Sequence, residues 1–378
     1  MVASFPTFDE IQQATGRFVE RHSTVARAEV LGASPEGREV RAVHVTDPEV
    51  PDDDKQHAMV VCGRHGNEPG GPAVGLAVLD WLASDAADQT RRRQIVSVVP
   101  AANPDGCARG EFGAPPRHLS ELEHDTIAAM ARRLAPEAVI DVHSFGPTDA
   151  DLQAVVTGNN TYEGEDFYIY STTAAGLIAA AGREGYPFLL HTEKRNEGYN
   201  NFIAGYCYDR FHALAFGMEV NHHVLAPDEA GAAGAAVVKA LLDVGNARAA
   251  WQAHGGYPVE ILKGDFAASI RPIGRTAAER RASRAAIWPN RKFFRVGRRE
   301  APAARTVIVR AGFSGYSGDD AACGFELCCR VRGRHARLRV TLNGEPVEPR
   351  TFRDDCSTFA SVAIRPPGCQ DYELVLEG

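Results

Sequence analysis

The spacing of apolar residues changes several times along this chain, and each change marks an element. From Phe8 to Arg21 they recur at helical spacing, which predicts an amphipathic first helix leading into paired strands that end near Val45. Met59-Val60-Val61-Cys62 is a continuous apolar run, read as a core strand. Gly71 to Leu82 returns to helical spacing and should pack on a sheet. Ile95 to Val99 is a short β-branched strand that delivers Asn103-Pro104-Asp105-Gly106 as a turn. Two further apolar runs, Ala138 to Val142 and Ala213 to Met218, read as core strands. Glu121 to Leu134 and Thr172 to Gly185 read as helices, and Asp228 to His254 as a long closing one.

Past about Gly255 the period drops to two. Thr306–Ala311, Phe325–Val331, Ala336–Leu342, Ser361–Arg365 and Tyr372–Leu376 alternate as half-buried strands do, and Asn343-Gly344 between two of them signals a hairpin. Residues 1–254 are therefore expected to form a first domain that mixes helices and strands. Residues 255–378 are expected to form a connector, in which Arg275 to Arg284 is a basic linker or a short surface helix, followed by a small all-β sandwich. Its expected role is to brace the first domain, cover a cleft in it or make a homo-oligomer contact.

Chemistry concentrates where the apolar runs end. The first core strand runs into His65-Gly66-Asn67-Glu68, and the next ends in His143-Ser144-Phe145. Two histidines and a glutamate are a catalytic zinc donor set, because three protein ligands leave the fourth position open for a water whose pKa falls to about 7. An HxxE tetrapeptide alone is weak evidence, and the second strand's histidine is what strengthens it. Asp141, two residues before His143, shares its face and is either a partner for an imidazole N–H or a buried structural carboxylate. A third strand carries Glu219, costly to bury without a partner and suited to be the base. His222 and His223 follow it and are read as structural or peripheral.

In order, Leu31-Gly32-Ala33-Ser34-Pro35-Glu36-Gly37-Arg38-Glu39-Val40, His65 to Glu68, Asn103 to Gly106, His143-Ser144 and Glu219 resemble the zinc carboxypeptidases of the carboxypeptidase A type. That resemblance implies an α/β fold with a mixed, twisted sheet of about eight strands flanked by helices and a site at the strand ends. It also implies one zinc ion per chain on His65, Glu68 and His143, with Glu219 as general base and acid for attack of zinc-activated water on an amide carbonyl. The family's arginine and Asn-Arg substrate clamp has no counterpart pattern after Gly106. Arg109 and Arg117 are the guanidinium groups left to stabilise an oxyanion or grip a carboxylate. Tyr199 falls nearest the family's mobile active-site tyrosine, with Tyr206 as second choice. The HGNE spelling is also similar to the aspartoacylase and succinylglutamate desuccinylase branch, which implies small N-acyl amino acids as the alternative to peptide substrates.

Composition narrows the partners. With 378 residues, 44% hydrophobic and 24% charged, the chain can bury a full catalytic core, and its formal charge of −8 speaks against nucleic acid or an acidic membrane surface. Arg91-Arg92-Arg93 reads as a solvated helix end. The first ten residues lack a basic region followed by an apolar core, so a cytoplasmic location without a signal peptide is expected, with the eight cysteines as thiols. A zinc-containing binding protein without catalysis is the reading from a different class, and an intact Glu219 speaks against it.

Overall fold

The computed structural model describes residues 4–52, 55–112, 121–134, 136–145, 153–158, 166–193, 203–211, 213–244, 260–263, 268–272, 306–312, 325–332, 337–353, 357–364 and 371–377. The chain divides into two compact units, residues 1–209 with 213–250 and residues 251–378 with 210–212.

The first unit begins with helix α1 (Phe8–Arg21), started by a reciprocal cap: Thr7 Oγ1 accepts from the Glu10 N–H, and the Glu10 carboxylate accepts from the Thr7 N–H. Strands β1 (Ala26–Ala33) and β2 (Glu39–Val45) form the expected antiparallel pair. Then come β3 (Gln56–Cys62), α2 (Gly70–Ala83), a short α3 (Asp88–Arg93), β4 (Gln94–Val99), α4 (Pro104–Arg109), α5 (Glu121–Leu134) and β5 (Ala138–Phe145). The unit continues through β6 (Gln153–Gly158), α6 (Asp166–Arg183), β7 (Phe188–Glu193), α7 (Ile203–Phe211), β8 (Leu214–Asn221) and α8 (Pro227–Val244).

These strands make one mixed sheet of eight in the order β1-β2-β4-β3-β5-β8-β6-β7. The chain leaves β3 for β4 on one side and later crosses back to β5 on the other. That reversal makes the carboxyl ends of β3 and β5 the switch point of the sheet, the usual place for a site in such folds. Every described residue from His57 to Cys62 and from Gln94 to Val99 is buried, as parallel strands covered on both faces must be. Helix α8 packs against α2 and α6. The α2–α8 contact is close because α8 presents small residues: a Cβ on Gly234 would lie 2.3 Å from Val74, and one on Gly231 3.1 Å from the Ala73 carbonyl.

Two sequence expectations are corrected here. Asn103 to Gly106 opens a helix rather than a simple turn, because Asn103 Oδ1 accepts from the Gly106 N–H and Pro104 occupies the first helical position, where its missing N–H costs nothing. Arg91 is not a solvated charge. It is buried and donates to the Leu82 and Ser84 carbonyls at 2.6 and 2.7 Å, satisfying the end of α2. Strands β6 and β7 and helix α7 were not foreseen.

The second unit contains two antiparallel sheets, which makes it the small all-β unit expected. Strands β9 (Glu260–Lys263), β11 (Thr306–Gly312), β13 (Arg339–Leu342), β14 (Glu345–Pro346) and β17 (Asp371–Glu377) form one sheet, and β10 (Ala268–Pro272), β12 (Phe325–Arg332), β15 (Arg350–Arg353) and β16 (Ser357–Ile364) form the other. Asn343 and Gly344 both take positive φ, 51° and 86°, and close the β13–β14 hairpin as their sequence predicts. The basic connector expected at 275–284 lies outside the described residues. Among the described residues no helix is long and apolar enough to cross a membrane.

One pH effect follows from the first sheet. His44 on β2 is 1% exposed, between Ser97 Oγ and the Glu29 carboxylate at 2.8 Å each. Burial holds its pKa below the ordinary 6.5, and the Glu29 contact only partly opposes this. The unfolded chain therefore takes up a proton that the folded one resists. The resulting stability is present above pH 6.5 and is lost as pH falls from there through the folded value. Urea unfolding of the wild type and of His44→Gln at pH 7.5 and pH 5.5 should show the wild type losing more stability across that interval than the variant.

Candidate metal centre

The site is built at the ends of β3 and β5. After Cys62 the chain turns at Gly63, whose φ of +65° suits glycine, and the following loop presents His65 and Glu68 before α2 begins. This loop rests on the start of α4: the Ala102 and Asn103 N–H groups donate to the Cys62 and Gly63 carbonyls, and Asn103 Nδ2 donates to the Arg64 carbonyl at 3.2 Å. Gly66 lies so close to α4 that a Cβ there would fall 1.9 Å from the Gly106 carbonyl carbon. Backbone on both sides leaves no side chain to move aside. Gly66→Ala is accordingly expected to cost about 3 kcal/mol or more, the upper end for overpacking, and to weaken metal binding with it. Thermal unfolding and zinc affinity check both.

Three donor side chains converge. Nδ1 of His65 lies 2.6 Å from Glu68 Oε1, Nδ1 of His143 lies 3.0 Å from Glu68 Oε2, and the two Nδ1 atoms are 3.2 Å apart. Among the described residues, His65, Glu68 and His143 form the one group of three or more metal-type side chains whose ligand atoms all lie within 4.8 Å of one another. A tetrahedral ion with bonds of about 2.0–2.1 Å needs its ligand atoms roughly 3.3 Å apart, so the donor set fits zinc.

The charges fit it as well. Burial acts to raise the Glu68 pKa, but the His143 charge and contacts from both imidazoles outweigh it and hold the carboxyl at about 2. Asp141 is likewise pushed up by burial and held at about 2 by Arg64 and His143. Burial opposes a proton on His143, yet Asp141 and Glu68 together raise its pKa well above 6.5, whereas burial keeps His65 low. The buried Asp141 and the partly buried Glu68 carboxylates thus draw positive charge to this spot, which a divalent cation supplies in place of a proton.

The surroundings orient these groups. Asp141 Oδ1 lies 3.3 Å from His143 Nε2, and its Oδ2 accepts from Arg64 Nη1. The Ser144 N–H donates to Glu68 Oε2 at 3.1 Å, while Ser144 Oγ accepts from the Gly70 N–H and lies 2.9 Å from His222 Nδ1. The Phe112 ring stacks on His65, with centroids 4.0 Å apart. On β8, Glu219 is half-buried and pairs in register with His143 of the adjacent parallel strand, so the two side chains leave the same face of the sheet.

The structure therefore brings His65, Glu68 and His143 together and sets Glu219 on the strand beside them. Arg109 ends α4, is 40% exposed and pairs with Glu36 and with Glu111 Oε2 at 2.8 Å. Tyr206 of α7 accepts from Arg132 at 3.1 Å. Arg117 and Tyr199 lie outside the described residues. Sequence reading missed Arg64, Phe112 and the Ser144–His222 contact. An arginine directly before a ligand histidine was the available signal for the first. Asp105 also gains a structural role: it accepts from Ser34 Oγ, Arg38 Nη1 and the Glu36 N–H, fastening the β1–β2 connection to α4.

Comparison with known proteins agrees with this geometry. The zinc carboxypeptidase family model matches residues 11–134. Among solved structures, the chain is similar to a metallo-carboxypeptidase from Burkholderia cenocepacia (TM-score 0.52, 17% identity, covering 62% of this chain and 68% of that one). It is also similar to carboxypeptidase A from Helicoverpa armigera (0.53, 15%, 66% and 74%) and to a metallo-carboxypeptidase from Pseudomonas aeruginosa (0.51, 18%, 62% and 68%). No curated protein sequence matches the chain. The resemblance read from the sequence is thereby borne out: residues 11–134 match the zinc carboxypeptidase family, and the eight-stranded unit has the metallocarboxypeptidase fold.

Proposed function

We propose that this protein is a zinc-dependent hydrolase of amide or peptide bonds, of the metallocarboxypeptidase type. The observation that carries the reading is the β5–β8 register, which sets Glu219 beside His143 on the face where the His–Glu–His donors converge. His65, Glu68 and His143 would hold one zinc ion, whose general chemistry is to polarise a carbonyl and activate a water.

The remaining work falls to the protein's own groups. Glu219 takes a proton from the attacking water and returns it to the departing nitrogen. Asp141 Oδ1 faces Nε2 of His143 at 3.3 Å, and Nδ1 is turned toward the other donors. Phe112 covers one face of His65. Arg109, Arg117 and Tyr199 are the proposed substrate-binding groups, and Arg109 would have to leave Glu36 and Glu111 to serve.

The second reading, from the HGNE spelling, is a deacylase of small N-acyl amino acids. Of the described arginines nearest the donor loop, Arg64 is paired with Asp141 and Arg109 with two glutamates, so neither offers an open fork to a C-terminal carboxylate. A C-terminal peptide residue and an N-acyl amino acid both carry that carboxylate, so these pairings do not separate the two readings. The experiment is a panel of zinc-loaded protein against blocked dipeptides with a free C-terminus and against N-acyl amino acids. Release of C-terminal residues supports the carboxypeptidase, and cleavage of the acyl amides alone supports the deacylase. Silence on both with zinc bound points to a binding protein without catalysis and overturns the proposal.

A further inference from the structure

Arg64 is among the largest fully buried side chains of the described residues, yet the proposed amide chemistry gives it no task. Its guanidinium pairs with Asp141, also 1% exposed. Enclosing an arginine and an aspartate removes two charges from water, and apolar side chains of similar volume often fill such space at no loss of stability or with a gain. Packing alone therefore gives no reason for this pair.

Direction does. Arg64 is bonded through its peptide to His65, and its carbonyl is held by Asn103 on α4. Its side chain leaves that loop and grips Oδ2 of Asp141 on β5, which leaves Oδ1 facing Nε2 of His143 at 3.3 Å. His143 in turn meets His65 and Glu68 through Nδ1. A closed circuit results, from His65 through Arg64, Asp141 and His143 back to His65, spanning the two segments that supply the donors.

We propose that Arg64 is a positioning residue of the metal site, a brace that fixes the separation of the loop carrying His65 and Glu68 from the strand carrying His143, and that orients the His143 ring through Asp141. This rests on reading His65, Glu68 and His143 as a zinc site. Without the Arg64 guanidinium, Asp141 can rotate, the His143 ring loses the fixed carboxylate facing its Nε2, and the donor loop loses one of its ties to β5. Groups one step removed from a metal typically affect its affinity 10- to 100-fold.

The test uses the full chain and reads zinc affinity by competition with a chromophoric chelator, the visible spectrum of the cobalt-substituted protein, and urea unfolding. Arg64→Met should weaken zinc binding by about 10- to 100-fold and alter the cobalt spectrum. It also strips the buried Asp141 of its guanidinium partner, so lower stability is expected. The double variant Arg64→Met/Asp141→Leu separates the two effects, since it removes both charges. The proposal expects its unfolding midpoint to recover while zinc affinity stays low. Wild-type affinity in the stable double variant would show the pair to be structural only and overturn the inference. If the double variant does not fold, Arg64→Lys, which keeps the charge but not the planar fork, is read the same way: weakened zinc binding at preserved stability supports the brace, and unchanged binding overturns it. A wild-type protein that binds no zinc would instead overturn the zinc reading itself, and that result needs no variant.

Discussion

Glu219→Gln should lower amide hydrolysis by roughly 100- to 10,000-fold, the usual contribution of a positioned acid–base group, while the protein keeps its zinc. The amide preserves size and hydrogen bonding but cannot accept a proton from water or carry one to a leaving nitrogen. Glu219 is not one of the three converging donors. It stands on the neighbouring strand, level with His143, so its loss should leave the metal site intact. The pair of measurements is kcat/KM on the best substrate of the panel and elemental zinc content. A variant that retains more than about a tenth of wild-type activity would remove Glu219 from the mechanism.

His143→Ala should act on the other quantity. It deletes a donor and also the imidazole that separates Glu68 from Asp141, leaving a buried and a partly buried carboxylate with less compensating charge. Zinc affinity is expected to fall by more than about 100-fold, the upper figure for groups that only support a ligand, and activity at sub-stoichiometric zinc should vanish. Competition with a chelator of known affinity measures the first effect. Unchanged affinity in a folded His143→Ala protein would place the metal elsewhere.

The sequence exposed the central strands and the donors because both leave short-range signals. Met59 to Cys62 and Ala213 to Met218 are apolar runs that only a covered strand tolerates, and the site residues stand where those runs stop. Strands β6 and β7 are six residues each and mix polar with apolar positions, so they resemble connections until the sheet supplies their partners. The helical start at Pro104 was hidden by Asn, Pro, Asp and Gly, four residues that favour turns as strongly as caps. Arg91 reads as one of three surface charges because nothing local reveals the two carbonyls that receive it. For the same reason Arg64 escaped notice: its partner is 77 residues away and meets it only once β3 and β5 lie side by side.

The most direct test of the account is a zinc titration of metal-free protein with hydrolysis as the readout. Activity should be absent without zinc, rise in proportion to zinc added, and stop rising at one ion per chain. Hydrolysis that persists in metal-free protein, or that breaks at a different stoichiometry, would contradict the single His65–Glu68–His143 centre.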